Sequence, residues 1–277
     1  MRVALGQLEA GPEKAANLAA MEGLVERARA AGSRLAVFPE AAMVRAEPEA
    51  DLAALAEPLD GPFLGRLRDV AAEAGVAVVA GMFESIPGAR QVHNTVVAIG
   101  GDGALLAVYR KIHLYDAFGY RESARVRAGP GEVAVFDLDG LRFGIATCYD
   151  LRFPALAEEL SVRGAEAILL PAAWMRGPLK EDHWEVLVRA RAIENTVYVA
   201  AAAQTGPRFV GRSLVVDPMG VVVAGLGEVE GLLVADLDPA RVGQVRATNP
   251  SLRNRRPDVY RAWREGSMAP SRVATGP

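Results

Sequence analysis

The sequence has little of what staples or metallates a small protein. In 277 residues there is one cysteine, Cys148, and there are three histidines. One thiol cannot form an intramolecular disulfide, and without neighbouring cysteines it makes a poor metal site. A disulfide-built secreted fold is therefore excluded. Neither sign of charge dominates: 31 lysines and arginines against 34 acidic residues leave a net −3. No global field recruits nucleic acid. The one basic run, Arg253-Asn254-Arg255-Arg256, reads as a solvated or subunit-contacting tail rather than a phosphate patch. Long apolar runs are also missing. No stretch approaches the ~18 uninterrupted residues of a membrane helix. Val3 to Leu8, interrupted by Gln7, is too short for a secretory signal core. These absences predict a cytoplasmic protein with no membrane and no nucleic-acid partner. No metal-ligand spacing occurs and no GxGxxG opens a helix after a strand. Gly100-Gly101-Asp102-Gly103 lacks the lysine of a phosphate loop and reads as a turn. Neither metal nor cofactor is expected.

Half the residues are hydrophobic (51%), enough for a sizeable core. No Ser/Gly/Pro linker or fixed-period repeat divides the chain. The expectation is one domain over residues 1–277, with an extended Pro- and Arg-rich tail from about residue 250. The patterning predicts strands at 2–8, 34–38, 76–82, 167–170, 197–203, 209–216, 220–224 and 231–237. Helices are expected at 12–31, 63–74, 153–162 and 180–194. Hairpins are expected from 91–99 with 104–110, and from 133–138 with 141–146. Residues 111–131 are polar and aperiodic, and a loop of that length is usually functional. Interleaved helices and strands with frequent hairpins make this an α/β protein, helices outside and mixed sheets inside.

Three apolar runs end in chemistry. Leu35 to Phe38 leads through Pro39 to Glu40, Val108 to Arg110 leads to Lys111, and Leu141 to Ala146 leads to Cys148. In open α/β sheets, reacting groups gather beyond the carboxyl ends of strands. An attacking thiol needs a base for its proton and a positive group for the oxyanion. Glu, Lys and Cys supply these parts, though a lone cysteine can equally be a buried apolar residue.

The stretches Phe38-Pro39-Glu40, Tyr109-Arg110-Lys111-Ile112-His113-Leu114 and Cys148-Tyr149-Asp150-Leu151-Arg152-Phe153-Pro154 together resemble the nitrilase, or carbon–nitrogen hydrolase, superfamily. His93-Asn94-Thr95, Pro171-Ala172-Ala173-Trp174, residues 189–195 and Asp217-Pro218-Met219-Gly220 support the resemblance, which runs from about residue 2 to about residue 260. It implies a four-layer α-β-β-α sandwich. It also implies a thiol-dependent amidohydrolase, similar to the ω-amidase and deaminated-glutathione-amidase branch, that cleaves a small linear carboxamide through an acyl-thioester.

In that reading Cys148 is the nucleophile, Glu40 the general base and Lys111 the oxyanion holder, with the Tyr149 N–H as second donor. Glu122, in the loop after the lysine, would orient Lys111 or assist the base. The apolar Phe38-Pro39 setting is expected to raise the Glu40 pKa, and Lys111 to favour the thiolate. Asp150 and Arg152 are expected to form an ion pair, unless Arg152 grips a substrate carboxylate. Tyr115, Phe118, Tyr120 and Trp174 are candidate pocket walls, and His183-Trp184-Glu185 could line the pocket. Family members commonly form homodimers and sometimes larger assemblies, so a homo-oligomer is expected. The rivals are an N-carbamoyl amino acid amidohydrolase with the same site, an acyltransferase, a non-catalytic binding protein on the same scaffold, and a Cys–His dyad drawing on His93, His113 or His183.

Overall fold

Alternation along short apolar strands decides which core each residue enters. In Leu35-Ala36-Val37, Leu35 and Val37 enter one hydrophobic cluster and Ala36 another. The structure, a computed structural model, describes residues 1–47 and 49–267. In chain order its elements are β1 (Arg2–Gln7), α1 (Lys14–Ala30), β2 (Leu35–Val37), α2 (Leu52–Leu55), α3 (Pro62–Ala74), β3 (Ala77–Ser85), β4 (Val92–Ile99) and β5 (Leu105–Arg110). There follow the two-residue strands β6 (Asp116–Ala117) and β7 (Tyr120–Arg121), a 3-10 turn at Glu122–Ala124, β8 (Ala134–Leu138), β9 (Leu141–Ile145) and a 3-10 turn at Cys148–Arg152. The remainder is α4 (Pro154–Val162), β10 (Ala167–Ala172), α5 (Lys180–Asn195), β11 (Tyr198–Ala203), β12 (Leu214–Val216), β13 (Val222–Gly225), β14 (Gly231–Asp236), α6 (Pro239–Thr248) and α7 (Pro257–Arg264).

Two six-stranded sheets form, β14-β1-β2-β3-β4-β5 and β13-β12-β11-β10-β9-β8. Val3, Leu5, Val79, Val96 and Ala98 of the first meet Phe143, Ile145 and the alanines of β11 in the second. The far face of the first sheet carries Ala4, Val78, Ala80 and Ile99 under Met21 and Val25 of α1 and Phe63 and Leu67 of α3. Leu156 and Leu160 of α4 and Trp184 and Val188 of α5 cover the second sheet. The expected α-β-β-α sandwich is the fold.

Local chemistry sets the ends. Gly61 and Pro62 open α3 and Gly75, at φ 64°, closes it, as a left-handed C-terminal glycine does. The strand expected at 209–216 shrinks to Leu214–Val216 because Gly211 and Arg212 both take positive φ (64° and 55°). The helices α2, α6 and α7 were not anticipated. Asp238 caps α6 by accepting from Ala240 N–H, with Pro239 at its first turn, a start signal present in the sequence. Helix α7 replaces extended chain at 257–264; the rest of the expected tail, 268–277, lies outside the described residues.

The strands β2, β3 and β5 run in one direction, and β9, β10 and β11 share a direction in the second sheet. Strand β4 runs against its neighbours, so its first residues lie at the edge where β3 and β5 end.

Candidate active site

Each proposed reacting group sits a few residues past a strand. Glu40 follows β2, and its approach is shaped by Gly81 of β3. A Cβ at residue 81 would lie 2.6 Å from both the Glu40 Cα and the Ala41 nitrogen, so only glycine lets the two backbones close up. Gly81 N–H donates to Pro39 O at 3.1 Å. Lys111 follows β5, and its N–H donates to Asn94 O at 2.9 Å.

Cys148 opens a 3-10 turn after β9, at φ 46°. A positive φ is costly for a residue with a Cβ and persists where surroundings enforce it. The enforcing group is Asp150. It accepts from Thr147 N–H at 2.9 Å, Tyr109 O–H at 2.7 Å, and His113 N–H and Nδ1 at 3.2 and 2.7 Å. Burial, then the Asp150 charge, push the Tyr109 phenol pKa far up, so it stays a donor.

The polar cluster is closed on itself. Lys111 Nζ donates to Glu40 Oε1 at 2.8 Å and to Glu122 Oε2 and Oε1 at 2.9 and 3.2 Å. Asn94 Nδ2 donates to Glu40 Oε1 at 2.7 Å and Glu122 Oε1 at 2.9 Å. Glu40 Oε2 accepts from Ala173 N–H at 2.8 Å, and Glu122 Oε2 from Tyr115 N–H at 2.6 Å. Gln204, just past β11, donates from Nε2 to Glu40 O at 2.8 Å. Cys148 lines the same cavity wall as Glu40 and Lys111. Lys111, Glu40, Glu122 and Cys148 are 2, 4, 7 and 7% exposed, which rules out surface roles for the lysine and both glutamates.

Electrostatics separate the groups. Burial pushes the Glu40 carboxyl up, but the Lys111 charge and the bonds from Lys111, Cys148 and Ala173 outweigh it and hold the pKa below its ordinary value. The apolar Phe38-Pro39 setting therefore does not raise it. Burial also opposes the Lys111 charge, yet Glu122 and Glu40 lift its pKa well above normal. Burial, then the Glu40 charge, raise the Cys148 thiol pKa against the pull of Lys111. Contrary to the sequence expectation, the unliganded thiol is protonated beside an ionised carboxylate.

Glu40, Lys111, Cys148, Glu122, Tyr149, Tyr115, Tyr120 and Trp174 all wall one cavity of about 420 Å³. Arg152 does not, and neither do Phe118, His183, Trp184 or Glu185. No Arg152–Asp150 ion pair forms among the described residues, because Asp150 is taken up by Thr147, Tyr109 and His113. Arg152 lies instead over Trp174, 4.9 Å from the ring centre, with Nη2 donating to His183 Nδ1 at 3.2 Å. All three histidines are engaged away from the thiol: His113 with Asp150 and stacked on Phe153 at 3.8 Å, His93 with Arg127 O, and His183 with Arg152.

Sequence reasoning gave no role to Asn94, Gln204, Lys180, Arg45, Arg125 or Arg208, all of which wall the cavity. Gln204 had the signal used for the others, a polar residue ending an apolar strand. Lys180 also had one, a cation in the first turn of a helix, where the dipole disfavours it.

Similarity to known proteins follows the same frame. The chain is 42% identical over 258 residues to the deaminated glutathione amidase of Escherichia coli O157:H7, covering 92% of this chain and 97% of that one. It is 37% identical over 274 residues to the deaminated glutathione amidase of Homo sapiens, covering 93% and 83%. Among solved structures, a mutant amidase from Nesterenkonia sp. AN1 superposes with a TM-score of 0.83 at 30% identity, covering 95% of this chain and 96% of that one. That structure shows covalent addition of the acetamide moiety of fluoroacetamide at its active-site cysteine. Residues 2–247 match the carbon-nitrogen hydrolase family, and the chain belongs to that family.

Proposed function

We propose that this protein hydrolyses a small carboxamide through a thioester on Cys148, with Glu40, Lys111 and Glu122 completing the machinery. The observation that carries the reading is geometric: a buried lysine bonded to two buried glutamates, Lys111 to Glu40 at 2.8 Å and to Glu122 at 2.9 Å, on the wall of the cavity that Cys148 also lines. Cys148 Sγ attacks the amide carbon while its proton passes to Glu40. The carbonyl oxygen gains negative charge, and Lys111 with the Tyr149 N–H holds it. Glu40 returns the proton to the departing nitrogen as the C–N bond breaks, leaving the acyl-thioester. Water then gives a proton to Glu40 and attacks the thioester carbon. The C–S bond breaks, and the sulfur takes the proton back. Glu122, bonded to Lys111 through both oxygens, orients the lysine. It is a positioning residue, since it acts through Lys111, while its remaining bonds to Asn94 Nδ2 and Tyr115 N–H fix its own place.

The relatives named deaminated glutathione amidase support an amide that carries carboxylate groups. On the cavity wall Arg125 and Lys180 form no ion pair among the described residues and favour the same class, whereas Arg45 and Arg208 are paired with Glu9 and Glu47. The reading includes one functional domain in the cytoplasm, assembled as a homodimer or larger homo-oligomer, with no nucleic-acid or membrane partner. The net charge of −3 is in keeping with this, as is the lack of a membrane-length apolar helix among the described residues.

Cys148→Ala tests the mechanism. Ammonia release from amides should fall to background while the circular dichroism spectrum and melting stay near wild type. Retained turnover would sink the assignment.

A further inference from the structure

Asn94 lies near the start of β4, opposite Phe83 of β3, at the edge where β3 and β5 end. It is 3% exposed and bonds three charged residues at once. Its backbone oxygen accepts from Lys111 N–H at 2.9 Å. Its Nδ2 donates to Glu40 Oε1 at 2.7 Å and to Glu122 Oε1 at 2.9 Å. These partners arrive from the end of β2, the end of β5 and the 3-10 turn at Glu122–Ala124.

The partners fix which way the amide points. A carboxylate accepts, so the Asn94 nitrogen faces the two glutamates and its oxygen faces away from them. That oxygen, Oδ1, is buried and has no hydrogen-bond partner among the described residues. An unmet buried acceptor is unfavourable. Such a cost persists where function needs the geometry. The orphaned oxygen marks a residue placed for its donors.

The two oxygens of Glu40 are not equivalent. Oε1 accepts from Lys111 Nζ at 2.8 Å and from Asn94 Nδ2 at 2.7 Å, which fills its two lone-pair directions. Oε2 accepts the Ala173 N–H at 2.8 Å and no other donor among the described residues, so one direction stays open. Without Asn94, Oε1 would be as open as Oε2.

We propose that Asn94 is a positioning residue that closes Glu40 Oε1, so that the proton of the Cys148 thiol passes to Oε2. The proposal rests on the amidase reading and deepens it, naming which oxygen is the base and what sets its strength. As Sγ bonds the amide carbon, its proton moves to Oε2, while Oε1 stays bonded to Lys111 and Asn94. Oε2 then returns the proton to the departing nitrogen. A hydrogen bond to a carboxylate also favours its ionised form, so Asn94 keeps the base in its working state at lower pH.

The titratable groups around Glu40 are Lys111 from the end of β5, Glu122 and Tyr120 from the loop after it, and Cys148 from the second sheet. The test therefore reads Glu40 itself. Its carboxyl carbon is titrated by NMR in Cys148→Ala and assigned by its loss on adding Glu40→Gln. Adding Asn94→Ala should raise the Glu40 midpoint by about one pH unit. Asn94→Ser keeps one donor and should show a smaller rise, which decides the matter if Asn94→Ala does not fold. In the enzyme with its thiol, Asn94→Ala should move the acid limb of kcat/KM up by the same amount and lower kcat about tenfold. A merely structural asparagine would lower the melting temperature and leave the midpoint in place. An unmoved midpoint in both variants overturns the proposal, whatever happens to kcat. The titration needs no turnover, so a shifted midpoint supports the control of Glu40 by Asn94 for any substrate. Turnover retained by Cys148→Ala overturns the amidase mechanism instead.

Discussion

Glu40 and Cys148 sit in the same buried pocket, yet the environment holds one deprotonated and the other protonated. Lys111 accounts for the difference. At Glu40 burial is the largest influence, but the Lys111 charge and the hydrogen bonds together outweigh it; at Cys148 the Lys111 charge fails to do so, because the Glu40 charge adds to burial. In the proposed mechanism the thiol therefore rests protonated and gives its proton to Glu40 once substrate is bound, unlike a preformed thiolate. A pH dependence follows. The folded Glu40 pKa lies below its unfolded value of about 4.5, so the unfolded chain takes up this proton first. Glu40 therefore stabilises the fold fully above that value, and its contribution is lost as pH falls through the lowered one. Melting temperatures measured from about pH 6 to about pH 3 should fall less steeply in Glu40→Gln than in wild type; parallel slopes would contradict the assignment. Glu40, Lys111 and Cys148 were readable because each ends an apolar run. Their protonation was not, since Phe38 and Pro39 are neighbours in sequence while Lys111 arrives from another strand. Asn94 was obscured similarly: its partners Glu40, Lys111 and Glu122 lie on separate segments.

Among the elements, the 3-10 turn at Cys148–Arg152 carries a local cost. At φ 46° a side chain with a Cβ is disfavoured, and the Asp150 network holds it there. Cys148→Ala and Cys148→Gly both lose the sulfur, so their difference reports the backbone. Cys148→Gly should be the more stable by about 1 kcal/mol, measured by denaturant unfolding; a more stable alanine variant would mean the turn relaxes. The sequence placed the edges of most strands within a few residues, because alternation and turn residues are local. It missed α7, a helix with no buried residue, because the prolines and arginines after Asn249 read as an extended tail and eight residues are too few for a period to stand out. It overextended the strand ending at Val216 because nothing local announces positive φ at Arg212.

Across the whole molecule, the proposed base and cation belong to one sheet and the thiol to the other, so the site exists only where the sheets pack. Stability should be distributed accordingly. Strands β1, β10 and β11 are almost wholly buried, while β13 is an exposed edge and α7 buries nothing. Amide hydrogen exchange should show global-opening protection in the first three and fast local exchange in the last two; uniform protection would rule this out. The sandwich was legible only through family resemblance, because periodicity does not say which strands are neighbours. The pairing of β1 with β14 is the extreme case, with Arg2 opposite Asp236 and their side chains bonded across 234 positions. As the chain is synthesised from its amino end, the first strand is made early and must wait for nearly the last before its sheet is complete. A nascent chain therefore holds its glutamate and lysine on an unfinished scaffold, with β1 an open edge for any other strand to pair with. That edge, closed only when β14 has been made, is where a nascent chain is most open to mispairing.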